Sequence, residues 1–181
     1  MRSALKTRAV ARFGVLTALA LVLGYVESLF VIVPSIPGIK LGLGNTAVLI
    51  ALCAGNGAAA AVLMLLKVSV SSLLFGTVSS FFYSLAGGVM SVLAMWALSR
   101  VRGIGLTGIS VGGAAFHMAG QMLVSRALLM SWVCLPVSPY LMTCAAVTGF
   151  LTGYAARLAL KAISSSDEKL KRRLTERGFT N

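Results

Sequence analysis

The chain is built from long apolar runs that alternate with short segments carrying glycine, proline or basic residues. Hydrophobic residues make up 58% of its 181 residues and charged residues only 11%, whereas a soluble domain carries roughly 25% charged residues. A helix needs about 20 apolar residues to cross a bilayer. The pattern therefore predicts an all-α, polytopic membrane protein, and the length allows one domain at most.

Acidic residues are scarce, which excludes several kinds of catalysis. The chain has 16 Lys plus Arg against four acids, and Glu27 is the one acid before Asp167. A paired-carboxylate hydrolase needs two positioned acids, and a Mg²⁺–diphosphate site needs a cluster of oxygen ligands. With a single His and no nucleophile–base spacing, we predict no catalytic residues, no cofactor and no metal site.

The basic residues predict the topology. Most of the 16 lie in three places, namely before or at the start of the first apolar run, at Arg100 and Arg102, and from Arg157 onward. Short cytoplasmic loops collect Lys and Arg. Both termini and the middle loop are therefore expected in the cytoplasm, in a multi-pass protein of a bacterial-type plasma membrane. Because these residues do not share one face, nucleic acid is not a predicted partner.

The breaks between apolar runs predict six transmembrane helices. The runs are Val10–Val33, Leu41–Ala54, Ala58–Thr77, Phe81–Ser99, Thr107–Trp132 and Tyr140–Ala162. The second run is short, so we expect that helix to be tilted, partly buried or continuous with a structured loop. Residues 1–163 are predicted to form a six-helix substrate-binding domain, and residues 164–181 a basic, polar cytoplasmic tail.

Small residues recur at helical spacing, which allows helices to approach closely in lipid. The rows are Gly14 and Ala18; Ala20 and Gly24; Ala47, Ala51 and Gly55; and Ala145, Gly149 and Gly153. Most rows are expected to serve internal packing. A row on an outward face would instead be a docking site for another membrane subunit, and Gly14 and Ala18 are our candidates for that role.

Polar residues within the apolar runs are candidates for a binding pocket. An ionisable group at membrane depth costs at least ~2.5–3.5 kcal/mol on insertion scales, so it usually faces a cavity or a partner. His117 and Gln121 lie one turn apart and share a helix face. The candidate pocket residues are Glu27, Lys40, Asn45, Lys67, Tyr83, His117, Gln121 and Arg126.

Two alternatives remain open for this set. The charged groups could pair internally and lock the bundle, and His117 with Gln121 could form an interhelical hydrogen bond. The aromatic residues Phe75, Phe81, Phe82 and Tyr83 could form an interfacial belt instead of stacking on a ligand. If the set does bind a ligand, its cations favour an anionic or carbonyl-rich molecule.

Several stretches together resemble the start and middle of the Gx transporter family. These are Leu23–Glu27, Pro37–Asn45, Ser71–Thr77, Ser80–Gly88 and Gly112–Gln121. The family resembles the substrate-binding S components of energy-coupling-factor (ECF) vitamin transporters, and it is often labelled heptaprenyl diphosphate synthase component I. Lys67 stands where the family leads us to expect Arg, and Met118 where it leads us to expect Asn.

The resemblance implies a six-helix bundle that captures a small organic nutrient on the outer side. A transmembrane T component and two cytoplasmic ATPases would drive uptake, since the chain has no phosphate-binding loop of its own. The Pro34–Lys40 loop would act as a gate, and small residues of the first helix would face the T component. Lipid is an expected partner as well.

Two alternative functions follow. One is a non-catalytic accessory subunit of polyprenyl (heptaprenyl) diphosphate synthesis, suggested by the family label. The other is a self-contained carrier with Glu27 as its proton site.

Overall fold

The structure, a computed structural model, describes residues 2–29, 40, 42–54, 57–130, 135–165, 168–176 and 179, with the backbone alone at 2–9, 169 and 173. Over these residues its secondary structure is helical with no strands, which confirms the predicted all-α class. The helices are α1 (Arg2–Ser28), α2 (Asn45–Cys53), α3 (Gly57–Phe75), α4 (Val78–Leu98), α5 (Leu106–Leu129), α6 (Ser138–Ser164) and α7 (Glu168–Glu176).

Within the part of the chain that the structure describes, three helices are long and apolar enough to cross a membrane, namely α1 from Val10 to Ser28, α3 and α4. They agree with a membrane-embedded protein. Helices α5 and α6 have 24 and 27 residues, which at about 1.5 Å per residue is long enough to cross a bilayer. They are not among the helices that are also apolar enough. The number of spans and the orientation of the termini stay predictions.

Helix α2 explains the short second apolar run. Its nine residues extend about 14 Å, too little to cross a bilayer, and every residue from Thr46 to Cys53 is buried. A helix that is apolar on all sides belongs in a core. Gly42, with a φ of +87°, begins the turn that leads into α2. The backbone amide of Asn45 donates to the Gly42 carbonyl oxygen at 2.8 Å.

Helices α4, α5 and α6 pack closely through glycines. A Cβ on Gly120 of α5 would lie 2.7 Å from the Ala86 carbonyl oxygen of α4. A Cβ on Gly149 of α6 would lie 2.7 Å from Val111 Cα of α5. Such approaches allow backbone-to-backbone packing where lipid gives helices no hydrophobic reason to associate.

The described residues of α7, together with Phe179, pack onto the bundle. Leu170 and Leu174 of α7 and Phe179 are buried and belong to the same apolar core as Leu160 of α6. The Phe179 amide donates to the Leu174 carbonyl at 2.9 Å. A helix therefore lies within the predicted tail, while the division of the chain at residue 163 stays a prediction.

Candidate functional site

A small polar space lies among α1, α3, α4, α5 and the segment before α2, and we call it the polar chamber. Its described lining residues are Gly24, Glu27, Lys40, Lys67, Ser71, Ser84 and His117. Its volume of about 10 Å³ is close to what one water needs. The chamber is thus a closed, nearly filled cluster of polar groups.

Glu27, near the end of α1, is hydrogen-bonded to the segment before α2. The side chain is 2% exposed, and its Oε1 accepts a hydrogen bond from the backbone amide of Gly42. A Cβ on Gly42 would lie 3.0 Å from Asn45 Nδ2 and 3.2 Å from His117 Cδ2. The left-handed backbone and these close neighbours together require glycine at this position.

Lys67 connects α3 to the start of α2. Its Nζ donates to Asn45 Oδ1 at 3.0 Å, and Asn45 Nδ2 donates to Ser91 Oγ of α4 at 3.4 Å. The Lys67 ammonium lies against Gly44, where a Cβ would be 2.9 Å from Nζ. A charged group at this depth is expected to face such polar partners.

Gln121 holds the same segment from α5. Its Oε1 accepts from the Lys40 backbone amide at 3.2 Å, and its Nε2 lies 2.9 Å from His117 Nε2. With the amide oxygen used as an acceptor, Nε2 of Gln121 is the donor to the His117 ring. A neutral His117 then carries its proton on Nδ1, which lies beside the Gly87 backbone without a partner of hydrogen-bond geometry among the described residues.

The chamber carries more positive than negative charge. Glu27 is the one carboxylate among its described lining residues, and Lys40 and Lys67 are the cations. Burial lowers the pKa of the Lys40 ammonium, while the Glu27 carboxylate opposes that shift. The described lining therefore holds two basic side chains and one acidic side chain.

The structure brings six of the eight predicted pocket residues together. Glu27, Lys40, Lys67 and His117 line the chamber, and Asn45 and Gln121 are hydrogen-bonded to them. That these residues bind a substrate stays a prediction.

The other two predicted residues lie elsewhere. Tyr83 packs with Met118 and Leu141 in a separate buried cluster between α4, α5 and α6, and Arg126 is not among the described lining residues. Phe75 stacks edge-on with Tyr25 at 5.5 Å between ring centroids, and neither residue is among the described lining residues of the chamber. The predicted gate, Pro34–Lys40, lies outside the described residues except for Lys40.

The chamber also contains small residues that the sequence reasoning did not select. Ser71 follows Lys67 by four residues and Gly24 precedes Glu27 by three, so each shares a helix face with a predicted residue. That spacing was sufficient to predict Ser71 and Gly24 as lining residues. It could not predict Ser84, because no predicted pocket residue lies one turn from Ser84 on α4.

The four rows of small residues separate into inward and outward rows. Ala20, Gly24 and the described members of the α2 and α6 rows are buried, whereas Gly14 and Ala18 are exposed. A Cβ on Gly14 would have no atom within 4 Å. We call the α1 surface around Gly14 and Ala18 the docking face; its role stays a prediction.

A family model described as heptaprenyl diphosphate synthase component I matches residues 16–159. The chain belongs to this family. The match includes every chamber residue named above as well as Ala18. The description of the family names one component of a synthase. No curated protein and no solved structure matches the chain.

Proposed function

We propose that this chain is the substrate-binding S component of an ECF-type importer. It would capture a small, anionic or carbonyl-rich nutrient in the polar chamber for ATP-driven uptake. The observation that carries the proposal is the chamber itself. Two ammonium groups, one carboxylate, an imidazole and an amide from four separate parts of the chain meet in one closed space. Such convergence at depth favours a functional site over scattered polar residues.

Binding on this scheme requires the chamber to open. Ligand pockets usually have volumes of about 300–1,000 Å³, far above the roughly 10 Å³ present. Two hydrogen bonds hold the segment before α2 against the chamber. The backbone amide of Lys40 donates to Gln121 Oε1, and the backbone amide of Gly42 donates to Glu27 Oε1. Breaking them frees two acceptors, Gln121 Oε1 and Glu27 Oε1, of which Glu27 belongs to the chamber lining.

Mass spectrometry of the small molecules that co-purify with the gently extracted chain tests the binding role. We expect one organic molecule to be retained by the wild type and to be lost or strongly reduced in His117→Leu and Gln121→Leu. Tyr83→Phe is the matched control, because Tyr83 is equally buried but lies outside the chamber lining. Equal retention in all four proteins would leave His117 and Gln121 as packing residues and contradict the proposal.

The docking face supports a membrane partner, which we propose is a T component that recruits two ATPases. Gly14→Leu or Ala18→Leu should abolish uptake in cells while leaving binding by the purified chain unchanged, because the added side chains prevent close helix approach. Ala146→Leu, an exposed small residue on α6, is the matched control. Unchanged uptake in the α1 variants would contradict docking through this face.

A second candidate function follows from the family description, namely a non-catalytic membrane subunit beside a prenyl diphosphate synthase. Co-purification from cells separates the two candidates. Recovery with ATPases and a T component favours import, and recovery with a soluble prenyl synthase favours the accessory role.

A further inference from the structure

A second, larger space lies where α7 folds back against the end of α6, and we call it the α6–α7 cavity. Its volume is about 580 Å³, within the range of small-molecule sites. Its described lining residues are Tyr154, Arg157, Leu158, Leu160, Lys161, Ser164, Ser165, Lys171, Leu174 and Phe179. It is unrelated to the residues used for the proposed import function.

The cavity lies at the opposite end of the bundle from the polar chamber. Gly153 of α6 packs on Thr107 near the start of α5, and His117 lies ten residues further along α5. The cavity residues Arg157 and Lys161 follow Gly153 in the other direction. At 1.5 Å per residue the two spaces are roughly 20 Å apart, so one ligand does not reach both.

Three cations surround the cavity. Arg157 and Lys161 are one turn apart on α6, and Lys171 approaches from α7. All three are exposed, and the described lining includes no carboxylate. Clustered Lys and Arg next to a membrane helix attract phosphate-bearing headgroups, and Arg matches phosphate oxygens with two parallel N–H donors.

Apart from Ser164 and Ser165, the remaining described lining residues are apolar or aromatic, and they continue onto the outside of α6. Leu160, Leu174 and Phe179 are 2–6% exposed and form the base. Tyr154 and Leu158 are both 52% exposed and share the face of α6 that carries Arg157 and Lys161. A molecule with its charged end among the cations would therefore have an apolar path along α6.

From this arrangement we propose that the α6–α7 cavity binds an amphiphile whose phosphate headgroup carries a net negative charge. The head lies among Arg157, Lys161 and Lys171, and the chain lies along Leu158 and Tyr154. Two kinds of molecule have this chemistry, an anionic phospholipid of the bilayer and an isoprenyl diphosphate. Burial of Leu170 and Leu174 holds α7 in place, so the three cations are arranged before a ligand arrives.

Native mass spectrometry of the full chain in neutral detergent tests the proposal. The probes are phosphatidylglycerol, phosphatidylcholine with the same acyl chains, farnesyl diphosphate, farnesol and inorganic diphosphate. Exchanging both Arg157→Gln and Lys161→Gln should weaken binding of the charged amphiphile roughly 30-fold, since each nearby cation contributes about fivefold. The matched control is Arg100→Gln with Arg102→Gln, which removes the same charge from an exposed loop outside the cavity lining.

Specific retention of phosphatidylglycerol over phosphatidylcholine, lost in the cavity variant alone, supports the proposal with a bilayer lipid as ligand. Specific retention of farnesyl diphosphate over farnesol and inorganic diphosphate supports it with an isoprenyl diphosphate as ligand. Failure of both phosphatidylglycerol and farnesyl diphosphate to bind more tightly than their net-neutral counterparts, phosphatidylcholine and farnesol, would overturn it. So would inorganic diphosphate binding as tightly as farnesyl diphosphate, or equal weakening in the cavity and control variants.

Discussion

The polar chamber and the α6–α7 cavity both contain basic side chains, but the two sites differ in how far their charged groups are buried and in how much space these groups surround. In the chamber, the charged side chains enclose about 10 Å³, and Glu27 and Lys67 are 2% and 7% exposed. In the cavity, exposed cations surround about 580 Å³. The chamber groups are held by contacts from the protein itself, whereas the cavity groups are available without any rearrangement.

This difference separates two consequences of a charged residue in a membrane protein. Charges buried with partners are coupled to folding, because removing one partner leaves another group unsatisfied. Exposed charges around an open space affect stability little and affect binding directly. Substitutions at the two sites should therefore change different measurements.

The largest expected effect is on stability, from Glu27→Leu. The change leaves the Gly42 amide without its acceptor and removes the one carboxylate of the described chamber lining, and breaking a buried ionic arrangement costs about 3–5 kcal/mol. Unfolding of the purified chain in detergent measures it. Lys161→Leu in the cavity should stay within about 0.5 kcal/mol of wild type. Equal losses in the two variants would contradict the distinction between the sites.

A smaller loss is expected from Gly87→Ala at the chamber. The new Cβ would lie 2.8 Å from the His117 ring and 2.9 Å from the His117 carbonyl oxygen, and overpacking of this kind costs about 1–3 kcal/mol. Gly14→Ala on the docking face has open space and should gain up to about 1 kcal/mol from helix propensity. The same unfolding measurement gives the change in the free energy of unfolding for both variants. If both variants were destabilised, or both stabilised, the space around the two glycines would not decide the outcome.

The smallest expected effect is that of salt on the two sites. Raising NaCl from about 0.05 to 0.5 M shortens the screening length about threefold, to roughly 4 Å. Binding of a phosphate amphiphile at the exposed cavity cations should weaken severalfold, as measured by titration. Retention of the chamber ligand should change much less, since enclosed charges are screened weakly. The reverse order would mean that the chamber is open to solvent.

The apolar runs of the sequence predicted an all-helical protein, and the polar residues within and between them include four of the described residues that line the chamber. His117 with Gln121 on α5, and Lys67 on α3, were identified by being polar within apolar runs. Tyr83 shows the limit of that reasoning. It adjoins Ser84, but neighbouring helical residues point about 100° apart, so Ser84 lines the chamber while Tyr83 packs with Met118.

What could not be predicted depends on contacts between helices. The outward direction of Gly14 and the inward direction of Ala20 follow from how α1 lies on α2 and α3, which no local pattern specifies. The α6–α7 cavity was missed for the same reason. Its cations were interpreted as topology signals, and their convergence requires α7 to fold back on α6.

The contacts that close the chamber use the backbone amides of Lys40 and Gly42. An amide is present whatever side chain a residue carries, so the closing contact at position 40 does not depend on lysine. A substitution of Lys40 should therefore change the charge of the chamber lining while leaving its backbone hydrogen bond to Gln121 in place.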